Sequence, residues 1–338
     1  MIMKTIKKIT LAILMMMSCV LFVKESTAQD VRFSQPLVNT LKYNPAAMGI
    51  NPDLKFSLQY RTQWGLMEKG YTTYAFTTLF PMYLKEGKEK LDIGFTALND
   101  KAGAFNSLDF SLALGYNIRL AESGYLNVSL LGGYVQKSLN TGGLAFDEQY
   151  VLGAYSASNV NGETILNEKV NYPDVGAGIM WYYNPKQDDG AKLNAYLGVS
   201  GYHLNKPNES MISGTGLLTP RYSFQGGIKI LGKNKVDFTP NFIVNSQKPS
   251  QNSAAGLLVD YRFNEKMKLV IGGWYRKDDA IAFSLGFDHK TFGFTYSYDV
   301  VTTPISAYTS GLNAHEITLI IKFNQSEKKG ASANPSFF

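Results

Sequence analysis

Apolar residues recur at every second position, in segment after segment, along most of the chain. In "DLKFSLQYRT" they are Leu54, Phe56, Leu58 and Tyr60; in "LDFSLALGYNIRL" they are Phe110, Leu112, Leu114, Tyr116 and Ile118. "AIAFSLGFDHK", "TFGFTYSYDV" and "EITLIIKF" repeat the pattern near the end. Successive side chains of a strand point to opposite faces, so a period of two writes one apolar, aromatic face and one of Ser, Thr, Asn, Gly, Lys and Asp. About fourteen such segments follow one another, each roughly ten residues long, the length a tilted membrane-spanning strand needs. Expected starts are Asp53, Tyr71, Lys90, Asn106, Gly124, Val170, Ala191, Pro220, Lys235, Asn252, Lys266, Asp278, Lys290 and Gly311. After residue 28 no stretch approaches about 18 uncharged apolar residues, so no helix there spans a bilayer.

A soluble sandwich or barrel would turn the apolar face inward. An outer-membrane barrel turns it to lipid and keeps a polar interior. Charged residues are 18% of the chain, below the usual value of about 25%, and the polar faces lack the dense Lys/Glu cover of a soluble β protein. Aromatic residues cluster at segment ends, in "WYYN" (181–184) and "GWYRK" (273–277), as interface girdles require. Connections alternate in length. Tight turns are expected near Ala121-Glu122-Ser123, Leu231-Gly232-Lys233-Asn234, Asn264-Glu265 and Asp288-His289-Lys290. Long loops are expected at Ser138 to Lys169, Asn205 to Thr219 and Val301 to Ser310. These features select an all-β, transmembrane antiparallel barrel of about 14 strands over residues 53–324, with both termini periplasmic.

Residues 1–28 read as a secretory leader. Lys4, Lys7 and Lys8 precede the apolar run Ile9 to Val23, and Ser26-Thr27-Ala28 offers a cut before Gln29. Lys4, Lys7, Lys8 and Lys24 against Glu25 belong to this leader, so the net charge of +6 falls to +3 in the mature chain. That balance is no argument for nucleic acid, and no nucleic-acid partner is expected. The single cysteine, Cys19, also lies in the leader, which leaves no disulfide, thiol nucleophile or cysteine metal site. Residues 325–338 read as a flexible periplasmic tail.

Catalytic and metal signatures are absent. His203, His289 and His315 stand in no metal-ligand spacing, and no G-x-S-x-G elbow or phosphate-binding glycine loop occurs. Gly176 and Gly178 in "DVGAGIMW" read as close strand packing or a bend. Asp188-Asp189-Gly190 and Asp278-Asp279 read as turn chemistry. The expectation is a non-enzyme without cofactor.

The stretch Asp30 to Ile50, "DVRFSQPLVNTLKYNPAAMGI", fits neither strand nor helix period. It resembles the N-terminal signature of the PorP/SprF family of Bacteroidota outer-membrane proteins: F-S-Q, an apolar run, then Y-N-P-A and Gly. "YRTQWG" (Tyr60 to Gly65), "DVGAGIMWYY" (Asp174 to Tyr183), "YLGVSGYHLNKPN" (Tyr196 to Asn208), "WYRKDDAI" (Trp274 to Ile281) and the closing pair "FTYSYDV" and "GLNAHEITLIIKF" are similar to family elements in family order. Thr318 stands where Ser is common, and the tail lacks a cysteine found in some members.

The resemblance implies an outer-membrane component of type IX secretion, often coupled with gliding motility. It implies contact with the periplasmic ring and peptidoglycan-binding parts of that machine, or with large adhesins carrying C-terminal sorting domains. Among matched residues, those expected to meet partners are Phe33, Gln35, Tyr43, Asn44, Pro45, Arg61, Gln63, Trp64, Arg276, Asp278 and Asp299. The alternative for each is a structural role, closing a hairpin or pairing inside the lumen. A porin or small-solute channel is the alternative for the whole chain. Pro36 and Pro45 lack a backbone donor and restrict their neighbours, so residues 29–52 are no ladder strand. Phe33, Leu37, Val38, Leu41 and Tyr43 would be exposed in a free tail. The segment is therefore expected to pack against the barrel's inner wall or periplasmic mouth, plugging or capping the periplasmic end, with Asn44-Pro45 making a turn; partner binding at the mouth is the alternative.

Overall fold

A computed structural model of the chain describes residues 30–64, 70–84, 89–140, 144, 149–151, 154–156, 158–159, 168–185, 193–211, 214–232, 234–304 and 313–323. The expected leader, the tail 325–338 and Asp188-Asp189-Gly190 lie outside the described residues. Strands β1 (Leu54–Gln63), β2 (Tyr71–Leu84), β3 (Glu89–Ala102), β4 (Phe105–Arg119) and β5 (Gly124–Leu139) come first. Two short strands, β6 (Tyr150–Val151) and β7 (Ala154–Tyr155), pair with each other in the next connection. Then come β8 (Lys169–Tyr183), β9 (Leu193–Tyr202), β10 (Arg221–Leu231), β11 (Val236–Gln247) and β12 (Ser250–Arg262). The last are β13 (Met267–Arg276), β14 (Ala280–His289), β15 (Phe292–Val301) and β16 (Ala314–Phe323).

All but β6 and β7 form one closed antiparallel barrel of 14 strands in sequence order. Closure joins β1 to β16 in register from Leu54↔Phe323 to Gln63↔Ala314, which leaves no unpaired edge in a medium that cannot hydrogen-bond one. The period of two decides what faces where. On β1, Lys55, Ser57, Gln59 and Arg61 are buried inside while Leu58 and Tyr60 are exposed outside. On β16, Glu316 and Thr318 point in, and Ile317, Leu319 and Ile321 point out. The same rule splits the aromatic clusters. Trp181, Tyr183 and Tyr275 face outward, whereas Tyr182 and Trp274 point into the lumen and are buried, so only part of each expected girdle faces lipid.

The end where Leu54 meets Phe323 carries short turns; the opposite end carries the long connections between β5 and β8, β9 and β10, and β15 and β16. By the length rule for outer-membrane barrels, the first end is periplasmic and the second external. No described helix is long and apolar enough to cross a membrane.

Ahead of β1, residues 30–52 lie inside the barrel. They hold helix α1 (Thr40–Tyr43) and a 3-10 helix, Pro45–Ile50. Phe33, Leu37, Leu41, Met48 and Ile50 are buried against inward-pointing Met180, Tyr182, Tyr196, Leu79, Leu131, Tyr202 and Trp274. These apolar positions on an otherwise polar inner face are where the segment packs. The segment packs on the inner wall, one of the two places expected for it, and extends well beyond the periplasmic end it was expected to plug or cap. Pro52 sits by the inner end of β2, and Asp30 sits at the external mouth beside His203 and Arg221; the described chain thus starts at the external end and not at the periplasmic one expected for both termini, because the even strand count fixes only the ends of the sheet.

Candidate functional site

The lumen holds the described chemistry, built in three tiers around the N-terminal segment. At the inner tier the segment's carbonyls need donors, since its prolines and irregular backbone supply no ladder. Lys90 on β3 donates from Nζ to Gly49 O at 2.7 Å and Asn51 O at 2.8 Å. Its charge is met by Asp92 at 3.1 Å, which Asn127 also supports at 2.8 Å. Asn117 Nδ2 donates to Gly49 O and to the Tyr182 hydroxyl, and the Tyr83 hydroxyl donates to Pro52 O at 2.6 Å.

In the middle tier Asn44, fully buried, caps the 3-10 helix: its Oδ1 accepts from Ala46 N–H at 2.9 Å. Its amide donates to the carbonyls of Ile179 and Val199, both at 3.3 Å. The expected Asn44-Pro45 turn is thus a helix start, with Pro at its first position. Gly178 on β8 makes room: a Cβ there would stand 2.2 Å from Asn44 Oδ1. Gly178 serves segment-to-wall contact rather than strand packing or a bend. The end of α1 is satisfied by Ser200, which donates to Tyr43 O, and by the Tyr202 hydroxyl, which donates to Leu41 O, both at 2.7 Å.

The outer tier is ionic, in two clusters. In the first, Arg61 lies 2.8 Å from Asp299 and 3.6 Å from Glu316, and donates to Ser34 Oγ at 2.5 Å. Arg276 lies 2.7 Å from Asp299 and 3.0 Å from Asp279, which Arg32 meets at 3.2 Å. Glu316 accepts from Ser34 N–H at 2.7 Å, and Gln35 donates to Ser297 at 2.8 Å. In the second cluster Asp30 lies 2.8 Å from Arg221 and 3.1 Å from His203 Nε2, while His203 Nδ1 is 3.0 Å from Asp174. Arg221 stacks over the Tyr202 ring and donates to Lys42 O; Lys42 reaches Asp109 at 3.4 Å.

Burial works against the charge on His203, but Asp30 and Asp174 overcome it and push its pKa up to about 9. Burial likewise opposes ionisation of Asp30; Arg221, Lys42 and His203 outweigh it and hold the carboxyl well below its usual range. Both nitrogens of His203 face carboxylates, so this ring holds a charge in place.

Phe33, Gln35, Tyr43, Asn44 and Pro45 are all buried in the lumen. Arg61, Arg276 and Asp299 meet in one buried cluster. Their expected exposure to partners is therefore corrected to the structural alternative: a charge on the inner face of a closed barrel pairs inside the lumen, here with charges on nearby strands of the same wall. Gln63 and Trp64 are half-buried at the external rim, where Trp64 packs on Tyr71 with ring centroids 4.9 Å apart. Asp278 is exposed in the turn between β13 and β14. The reading of matched residues missed Lys42, Lys90, Asp109, Asp174, His203 and Glu316. Alternation held the signal for those on strands, since each is a charge on an inward position. Among the described residues no group of His, Cys, Asp and Glu could hold a metal ion.

By shape the chain is similar to outer-membrane barrels. A FadL homologue of Pseudomonas aeruginosa aligns with a TM-score of 0.53 at 7% identity, over 83% of this chain and 92% of that one. A deltaS2 mutant of the monoaromatic hydrocarbon channel TodX aligns with a TM-score of 0.53 at 10% identity, over 84% and 93%. At such identities the likeness is one of fold. A search of curated proteins by sequence finds no match. The sequence does match, across residues 25–321, the family described as type IX secretion system membrane protein PorP/SprF. The chain belongs to the PorP/SprF family of type IX secretion system membrane proteins.

Proposed function

We propose that this chain is a non-enzymatic outer-membrane component of type IX secretion that acts through its two mouths rather than through its pore. The observation that carries this reading is the packed lumen. Residues 33–50, all but Val38 and Lys42 buried, pack against the inner wall and are tied at inner, middle and outer tiers. A channel leaves an aqueous path, as the widest porins do; here the inner face is matched to a segment of the same chain. The long external loops then meet exported proteins, with large adhesins bearing C-terminal sorting domains as the substrate class. The periplasmic end meets the ring and peptidoglycan-binding parts of the machine, and gliding motility follows where the exported adhesin supports it. A leader cut before Gln29 supplies export to the envelope.

The test is an affinity pull-down from detergent-solubilised envelope with mass spectrometry of the partners. Periplasmic ring components and an adhesin should co-purify. Recovery of general porins and assembly factors alone overturns the reading. The purified protein in a planar bilayer should show no stable conductance; a steady open channel supports the porin alternative instead.

A further inference from the structure

The N-terminal segment has a direction, and the direction has a consequence for where the chain begins in space. Pro52 and Asn51 are held at the periplasmic end by Tyr83 and Lys90. Asn44 lies at mid-lumen, and Ser34 reaches Glu316 near the external start of β16. Asp30 ends between His203, which directly follows β9, and Arg221, which opens β10, both at the external mouth. Arg32 pairs with Asp279 in the external turn between β13 and β14. The path crosses the barrel from the end that holds Leu54 and Phe323 to the end that holds the long loops.

We infer that the processed N-terminus of this chain is threaded through its own barrel and presented at the cell surface, opposite the periplasmic end of its C-terminal strand. A leader still seated in the inner membrane is incompatible with that path. The peptide bond just ahead of the segment must therefore be hydrolysed by a leader peptidase before the barrel closes. Water adds across that bond, leaving a carboxylate on the leader and an α-ammonium on the mature chain. Folding order follows: the segment must be inside, or be drawn inside, as β1 and β16 zip.

The test uses the full chain in intact cells, whose mature part holds no cysteine. Val31 is half-buried and lines a cavity of about 230 Å3 at the external mouth with Asp30, Arg32, Arg61 and Gln63. Val31→Cys should react with a membrane-impermeant maleimide on intact cells, and so should the control Leu217→Cys in an external loop, where Leu217 is 60% exposed. Asn264→Cys in a periplasmic turn should react only after the outer membrane is opened. An epitope inserted directly before Asp30 should be stained by antibody on unbroken cells, and the intact mass should place the mature start within a few residues of Asp30. Val31→Cys labelling only after permeabilisation, or not at all while Leu217→Cys labels, overturns the inference. So does a mature chain that keeps its leader. A pull-down lacking secretion partners, with Val31→Cys labelled from outside, would reject the proposed function and leave this topology standing.

Discussion

Arg61 illustrates how much one inward charge carries. Arg61 and Arg276 balance Asp299 and Glu316 in a space where all four are buried. Arg61→Met leaves Glu316, fully buried, with only the Ser34 N–H as a strong partner. Stranding a buried charge costs about 3–5 kcal/mol. Urea unfolding of the refolded barrel should show that loss. Arg61→Met combined with Glu316→Leu should recover much of it, because the Arg276–Asp299 pair remains; a double variant as weak as the single one contradicts this account. His203 sets a pH dependence at the same scale. Its folded pKa of about 9 lies above the ordinary value of about 6.5, so its contribution is full below that ordinary value and is lost as pH rises through 9. Asp30, held low, contributes above the ordinary carboxylate range and loses its contribution only in acid. The unfolding midpoint should therefore fall between pH 7 and pH 10, and His203→Gln should flatten that limb; an equally steep fall in the variant contradicts the assignment. At this scale the sequence exposed that these charges face inward. Which charge meets which was not legible, because partners such as Ser34 and Glu316 are brought together only by barrel closure.

At the scale of elements, alternation is a strong local signal and it placed the strands well. Expected starts at Lys90, Asn106 and Lys266 stand next to the observed Glu89, Phe105 and Met267. It failed where an inward position is apolar. Tyr182 and Trp274 looked like girdle residues, and their position in the period turns them onto Leu37, Ala47 and Ile50. The pair β6–β7 was missed because two-residue strands have no period to read. The N-terminal segment could be recognised as misfit for a ladder from its prolines, but its path depends on pockets such as Gly178. Gly178→Val should let the barrel assemble, since Val suits a strand, while its side chain drives Asn44 out of the mid-lumen. Limited proteolysis should then cut within residues 33–50, whereas Gly132→Ala should stay resistant, because a Cβ at Gly132 meets nothing within 4 Å. Resistance of Gly178→Val equal to the parent's would show that Asn44 does not need that space.

For the whole molecule, the closed sheet and the segment make separable contributions. The fourteen strands satisfy every ladder among themselves and present an apolar outside to lipid. The segment adds an inner core and two ionic clusters without pairing to any strand edge. A barrel of this size lies between small barrels whose side chains fill the interior and the 16–18-stranded porins that hold a water channel, so its lumen is empty or full according to what is put there. Deleting residues 30–50 should leave a folded, heat-modifiable barrel whose inner face is Lys, Asp, Ser, Thr and Asn with water between them. In a planar bilayer that variant should conduct ions steadily while the full chain stays silent. Gly178→Val should fall between them, with flickering openings as the displaced segment returns. Because a deletion can also impair assembly, the Gly178 variant gives the second reading of the same quantity. A folded deletion barrel that never conducts would mean that strands alone close the pore, and the segment would then be a fastening for the external mouth rather than the body that fills the lumen.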